Sequence, residues 1–436
     1  MYKAGIKWLY RELSDLIAKG ILSQESADKL RQHYGEVKST TKTTAMLIIL
    51  GTLGSLLIGL GIILLLAHNW EQFSRFTRAV ISFLPLVLGQ YLALWVLQKK
   101  PQSGALKEGA ATFLSLMVGA SISLISQTYN FPADASTFIL AWMFLIIPIT
   151  YLMQASIPAA IYLIGITIWS GIQSNDPVKA ILFWPLAAIV LPHFIWALRQ
   201  KIYALRTTIL SFVAMVCILF GASFSLGRTW PCAWVIIFSS LYSIFYSLGW
   251  LKVNGATTNW QRPLRLVGAL GLFILTLTFT FRHFWLSLGS FCHLDKSRVF
   301  GIGVLLDYML TIAIIATAIA LFYYNLKRKN SMVALFTAVP LLAIITYMIK
   351  DPTVFFTLLI FNVYLLTLCI RQITTGFRNN NLSVVNTGML MLAILIMARF
   401  FDSDINFVMK GLAFIVIGIG FLAVNFKLAR RQGGAK

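Results

Sequence analysis

The sequence predicts an all-α protein: a polytopic bundle of about fourteen transmembrane helices (twelve to fourteen), with both termini in the cytoplasm and a helical hairpin ahead of the first span. Three observations predict it. Only 11% of the 436 residues are charged and 58% are hydrophobic, whereas a soluble domain carries roughly 25% charged residues. That little charge cannot cover a water-facing surface, so lipid is the solvent for most of the chain. The apolar residues also come in runs close to the ~20 residues that a helix needs to cross a bilayer. Lastly, the basic residues fall between the runs with a side-to-side bias.

Residues 1–43 differ from the rest. Ile6, Leu9, Tyr10, Leu13, Leu16 and Ile17 share one helical face, while Lys7, Arg11, Glu12, Asp15 and Lys19 lie mainly off it. Gly20 is a natural stop, Ser23 a natural N-cap and Gly35 a second stop. The spacing predicts a cytoplasmic amphipathic helical hairpin. Its roles would be a lid or surface-lying helix, or a site of self-association or docking for a protein partner.

The expected spans are 44–67, 79–97, 111–129, 137–152, 157–172, 180–198, 208–226, 233–251, 266–281, 299–324, 332–349, 353–370, 382–398 and 407–426, with 427–436 as a basic cytoplasmic tail. Helix is the only open option, because an isolated apolar strand leaves backbone groups unpaired in lipid. A barrel would alternate in polarity, and these runs do not. With the N-terminus in the cytoplasm, 26 of the 36 Lys and Arg residues fall on the cytoplasmic side and 9 on the outer side, with Lys410 inside the last span. This is the bias that orients inner-membrane proteins. The same distribution excludes nucleic acid as a partner despite the formal net charge of +22. Spans 137–152 and 157–172 are short with an uncharged connection, so a re-entrant hairpin there would reduce the count to twelve.

Several polar positions could carry chemistry. Asn69, Trp70 and Glu71 end the first span on the outer side, as an interfacial anchor or a ligand-binding cluster. Gln127, Tyr129 and Asn130 end the third span on the same side, where amides act as helix–helix glue or join Asn69 and Glu71 in one site. Asp307 falls within a span, and an ionisable residue there is a functional candidate or the partner of a buried cation such as Lys410. Arg399, Asp402 and Asp404 occupy the last outer loop, beside Lys410, as a surface charge network. His193, after Pro192, reads as a satisfied histidine towards the cytoplasmic end. Cys217 and Cys369 read as core residues. Cys232 and Cys292 both fall on the outer side, where a disulfide between them persists if they meet. No metal-ligand spacing, P-loop, His-Glu-x-x-His or Gly-x-Ser-x-Gly pattern is present. The expectation is therefore no metal, no cofactor and no catalytic residues.

Local patterns add a resemblance. The Gly-rich first span leads into Ala67-His68-Asn69-Trp70-Glu71. Gly119-Ala120, Ser126-Gln127-Thr128-Tyr129-Asn130, Trp142 and Pro148 follow. Towards the end come Asn386-Thr387-Gly388, Arg399-Phe400-Phe401-Asp402, Gly411, Gly418 and Asn425. Together these resemble the "domain of unknown function 2157" family of predicted bacterial membrane proteins, over the first 170 residues and more loosely the last 60. The resemblance implies a multi-pass bacterial inner-membrane location and no particular activity. Three functions compete: an ion-coupled transporter, a non-catalytic scaffold or sensor, and a lipid-substrate enzyme at the outer face. Transport predicts a polar cavity around Asp307 near the midplane. A scaffold predicts a packed bundle without one.

Overall fold

The computed structural model describes residues 9, 12–13, 15–17, 19–34, 70–130, 134–201, 205–227, 233–251, 262–291, 301–349, 354–402, 415 and 418–419. By their contacts residues 1–78 and 79–436 form two units, taken in turn. In the first, residues 12–13 and 15–17 are helical. Gly20, at φ +68°, ends that helix. Its N–H donates to the Ile17 carbonyl and the Ile21 N–H to the Leu16 carbonyl, both at 3.0 Å, the bond pair that closes a helix at a left-handed glycine. The Ser23 hydroxyl then accepts the Ser26 N–H at 3.3 Å and starts α1 (Gln24–Tyr34). Leu13 and Ala27 are fully buried. The stop at Gly20 and the cap at Ser23 thus stand where the sequence placed them; Gly35 lies outside the described residues. A 3-10 turn, Trp70–Gln72, and the start of α2 (Arg75–Lys99) complete this unit.

The second unit is helical throughout its described elements: α3 (Gly104–Tyr129), α4 (Ala135–Met153), α5 (Ser156–Ile172), α6 (Pro177–Ile181), α7 (Phe183–Lys201), α8 (Leu205–Ser225), α9 (Ala233–Leu251), α10 (Pro263–Phe279), α11 (Arg282–Phe291), α12 (Ile302–Lys327), α13 (Ser331–Phe336), α14 (Val339–Ile349), α15 (Phe355–Arg378) and α16 (Leu382–Asp402). With α6–α7 and α13–α14 each taken as one, ten helices among the described residues are long and apolar enough to cross a membrane; α5 and α10 are shorter and apolar. Among the described residues, each expected span from 79–97 to 382–398 coincides in the main with a helix, 180–198 and 332–349 with two helices each. Span 44–67 lies outside the described residues. So does 407–426, apart from helical positions 415, 418 and 419. The 19 residues of α4 and 17 of α5 correspond to about 28 and 26 Å of helix, close to the hydrocarbon thickness of ~30 Å.

Glycines record how neighbouring helices pair. A Cβ on Gly249 would lie 2.5 Å from the Arg265 backbone nitrogen, and one on Gly268 2.5 Å from that of Tyr246. α9 and α10 are therefore antiparallel and in near backbone contact. Gly376 against Val385 and Gly388 against Ile373 bring α15 and α16 together in the same way, while Gly119 makes room for the Trp142 side chain between α3 and α4 and Gly165 for the Met143 side chain between α4 and α5. Small residues permit this approach, and in lipid such packing substitutes for a hydrophobic driving force between helices. The outward faces remain apolar. Val80, Phe83, Leu84, Val87 and Leu88 of α2 are all exposed, as lipid contact requires.

Two spans are broken rather than continuous, which the expectation of uniform helices over 180–198 and 332–349 did not include. α6 gives way to α7 at Leu182, three residues before Pro185, and α13 to α14 at Thr337-Ala338, ahead of Pro340. Proline removes one donor and displaces the preceding turn, and freed carbonyls in lipid need partners. Hydroxyls of other helices bond to carbonyls at these breaks. Tyr364 of α15 donates to the Leu335 and Phe336 carbonyls at 2.6 and 3.4 Å. Ser170 of α5 donates to the Ala180 carbonyl at 3.1 Å. Tyr364→Phe keeps the ring and deletes the donor. It is expected to destabilise the protein by about 1–3 kcal/mol, read as a lower thermal midpoint in detergent with unchanged elution volume.

Candidate functional site

Asp307 sits in the second turn of α12 and is 4% exposed, so it faces the protein interior as a charge in a span must. Its Oδ1 accepts the Gly227 N–H at 3.1 Å and the Thr311 hydroxyl at 3.2 Å. Gly227, at φ +80°, lies just past the end of α8, so the carboxylate ties the turn leaving α8 to the start of α12. This is a helix-end position rather than the midplane. The suggested partner Lys410 lies outside the described residues.

A second buried carboxylate was not singled out from the sequence. Glu108, in the second turn of α3, is 8% exposed. Both its oxygens accept the Ser156 N–H at 2.9 Å, and Oε2 also accepts the Ile157 N–H at 3.0 Å. These are the first two residues of α5, whose own cap position, Ala155, has no side chain to do this. A helix start presents unpaired N–H groups and partial positive charge, which a carboxylate satisfies. Arg206, 30% exposed, stands 3.8 Å from Oε1. Helices α3, α5 and α8 are thereby clamped at one end.

The structure does not assemble the remaining sequence-derived positions into one site. Asn69 lies outside the described residues, Trp70 is buried, and Glu71 is in the 3-10 turn. Gln127, Tyr129 and Asn130 are exposed at the end of α3; Asn130, at φ +51°, is the left-handed C-cap, its N–H on the Ser126 carbonyl. Helix α16 runs further than the expected span 382–398. Arg399 and Asp402 belong to the last turn of α16, because Phe400 and Phe401 continue the apolar pattern. Arg399 donates to the Thr280 hydroxyl at 3.1 Å and lies 4.7 Å over the Phe281 ring. That charge is therefore held against the end of α10, not displayed in a loop network. Cys217 and Cys369 are buried free thiols; Cys232, Cys292 and Asp404 lie outside the described residues.

His193 departs from the expectation of a satisfied histidine. It is 3% exposed on α7, and its Nε2 has no hydrogen-bond partner. Its ring meets Tyr151 edge-on, with centroids 6.1 Å apart, and Trp196 at 5.6 Å. Tyr151 turns its hydroxyl to the Ile189 carbonyl, one turn before His193. On α8, Thr207 is 1% exposed and its hydroxyl is likewise without a partner. Separately, a groove of about 530 Å³ runs between α5 and α8, lined by Ile164, Ile168, Val216 and Phe220 among others. Its lining is apolar and does not include Asp307, Glu108 or His193.

Around Asp134 and Asp176, outside the spans, the carboxylates again work at helix starts. Asp134 caps α4 and Asp176 caps α6. The Thr137 hydroxyl and backbone hold the Asp134 carboxyl below its ordinary range; the Lys179 N–H, the largest influence, does so for Asp176. Among the described residues no cluster of His, Cys, Asp and Glu is placed to hold a metal ion. No curated protein and no solved structure matches the chain. Residues 14–159, which contain Glu108 and the Ser156 N–H that donates to it, match the family described as "Predicted membrane protein (DUF2157)", and with its array of long apolar helices this chain is a membrane protein.

Proposed function

We propose that the chain is a multi-pass inner-membrane scaffold or sensor, with fourteen spans, cytoplasmic termini and an N-terminal cytoplasmic hairpin that meets a partner protein or a second copy. The observation that carries this reading is how its buried acids are used. Asp307 bonds to Gly227 and Thr311, and Glu108 to the start of α5. Both sit at helix ends and hold helices together, whereas ion coupling calls for an acid facing a polar cavity at the midplane. A lipid-substrate enzyme is less supported, since Arg399 is engaged with Thr280 and Phe281.

The test is flux through purified protein in proteoliposomes, with proton- and sodium-sensitive dyes inside. The scaffold reading expects no flux above empty vesicles, and Asp307→Asn to lower thermal stability. Flux in the wild type that Asp307→Asn removes would overturn it. Orientation has its own check: reporters fused after Lys436 and within 99–107 should both report cytoplasm. A reporter after Asp295 should report the outer side, and a cytoplasmic signal there would reverse the topology. A second reading, proton-coupled function, is favoured by the partnerless imidazole of His193.

A further inference from the structure

We propose that His193 is a hydrated, proton-exchanging site inside the membrane, reached by water from the cytoplasmic end of the bundle past Arg206 and Thr207. The motive is a set of polar atoms that the protein itself leaves without bonds. A buried donor or acceptor without a partner is expensive, and more so where lipid surrounds the helices. His193 Nε2 and the Thr207 hydroxyl are two such atoms. They belong to adjacent, contacting helices, α7 and α8. Thr207 shares its helical stripe with Leu210 and Cys217. Those two pack in the same core cluster as Val190 and Phe194, which lie beside His193 on α7.

The way in is polar on the side nearest the helix ends. Arg206 is partly exposed and precedes Thr207 at the start of α8. Glu108 stands beside Arg206. His193 lies eight residues from the end of α7, about 12 Å along the helix, which is too deep for bulk solvent but short enough for a few waters. A buried water needs two to four polar partners; Nε2, the Thr207 hydroxyl and the guanidinium are of that kind. Tyr151 of α4 meets the ring edge-on, Tyr162 of α5 bonds α7 at Leu186, and Glu108 of α3 pairs with Arg206 near the start of α8. Of these, Tyr151 and Tyr162 have their hydroxyls bonded to the Ile189 and Leu186 carbonyls, and Glu108 is engaged at α5. The imidazole is thus the group in this cluster left open to exchange a proton. This inference does not rest on the scaffold reading; its cytoplasmic entry rests on the proposed topology, which the reporter fusions test separately.

Histidine C2 hydrogen–deuterium exchange, followed by mass spectrometry on the wild-type protein in lipid nanodiscs, tests it without a bulky probe. The exposed His283 of α11 is the internal reference. The expected result is exchange at His193 within about tenfold of His283, with a sigmoidal pH dependence. Thr207→Val is expected to slow His193 and leave His283 unchanged. Exchange slower than His283 by more than that factor in the wild type would overturn the proposal. The route is tested in a chain whose four cysteines are replaced by serine. There His193→Cys should react with a charged, membrane-impermeant thiol reagent from the cytoplasmic side. Reaction from the outer side alone, or from neither side, refutes the cytoplasmic route.

Discussion

Gly268→Leu is expected to prevent assembly of the native bundle, and Gly268→Ala to destabilise it by about 1–3 kcal/mol. A Cβ at this position would lie 2.5 Å from the backbone nitrogen and 2.7 Å from the Cα of Tyr246. Those atoms belong to the neighbouring helix itself, so no side-chain rotation relieves the overlap. Helices α9 and α10 would have to part, and Gly249 against Arg265 closes the same interface one turn away. Two effects oppose each other in the alanine variant. Alanine gains about 1 kcal/mol over glycine in helix propensity, while steric overlap with a fixed backbone is larger. Gly109 of α3 separates them, because a Cβ there meets nothing within 4 Å. Gly109→Ala should be neutral or stabilising, Gly268→Ala destabilising. Thermal midpoints of the two in one detergent decide the matter; equal shifts would show that the close approach of α9 to α10 is not required.

The positions of the helices were legible because they depend on local properties. Twenty apolar residues in succession have one solution in lipid, and the runs from 79–97 to 382–398 meet it. What was not legible depends on partners distant in the chain. Pro85, Pro148 and Pro192 sit inside continuous helices, yet near Pro185 and Pro340 the helix breaks. Proline alone does not separate these cases. The breaks are matched by hydroxyls of Ser170 and Tyr364 on other helices. α11 was hidden for another reason: its Arg282 and His283 make a short amphipathic helix read as loop. The burial of Asp307 followed from its place in an apolar run, but its bond to Gly227, 80 residues away, could not. Glu108 was overlooked because it stands next to Lys107 at the edge of a polar connection. Only the fold brings α5's uncapped start to it.

That cap gives the second large effect. Glu108→Ala is expected to destabilise the protein by about 3–5 kcal/mol. The change leaves the Ser156 and Ile157 N–H groups without their acceptor and Arg206 without its counter-charge. Burial makes these losses matter: Ser156 and Ala155 are 2% and 0% exposed, so water cannot replace the carboxylate. Glu108→Gln retains one acceptor oxygen and loses the charge, and should fall between the wild type and alanine. The relative weight of capping and ion pairing is separable. Arg206→Met removes the cation and keeps the cap; with the guanidinium partly exposed and 3.8 Å away, it should cost less than Glu108→Ala. Ala155→Ser restores a local N-cap to α5, whose cap residue already has extended backbone at φ −103°, ψ 133°. A serine cap contributes about 1 kcal/mol. Added to Glu108→Ala it should recover that amount, while in the wild-type background it should gain little, because the N–H groups are already bonded. Unfolding midpoints of the four single variants and the double variant provide the check. If Ala155→Ser has the same effect in both backgrounds, Glu108 does not cap α5 and its role is confined to pairing with Arg206.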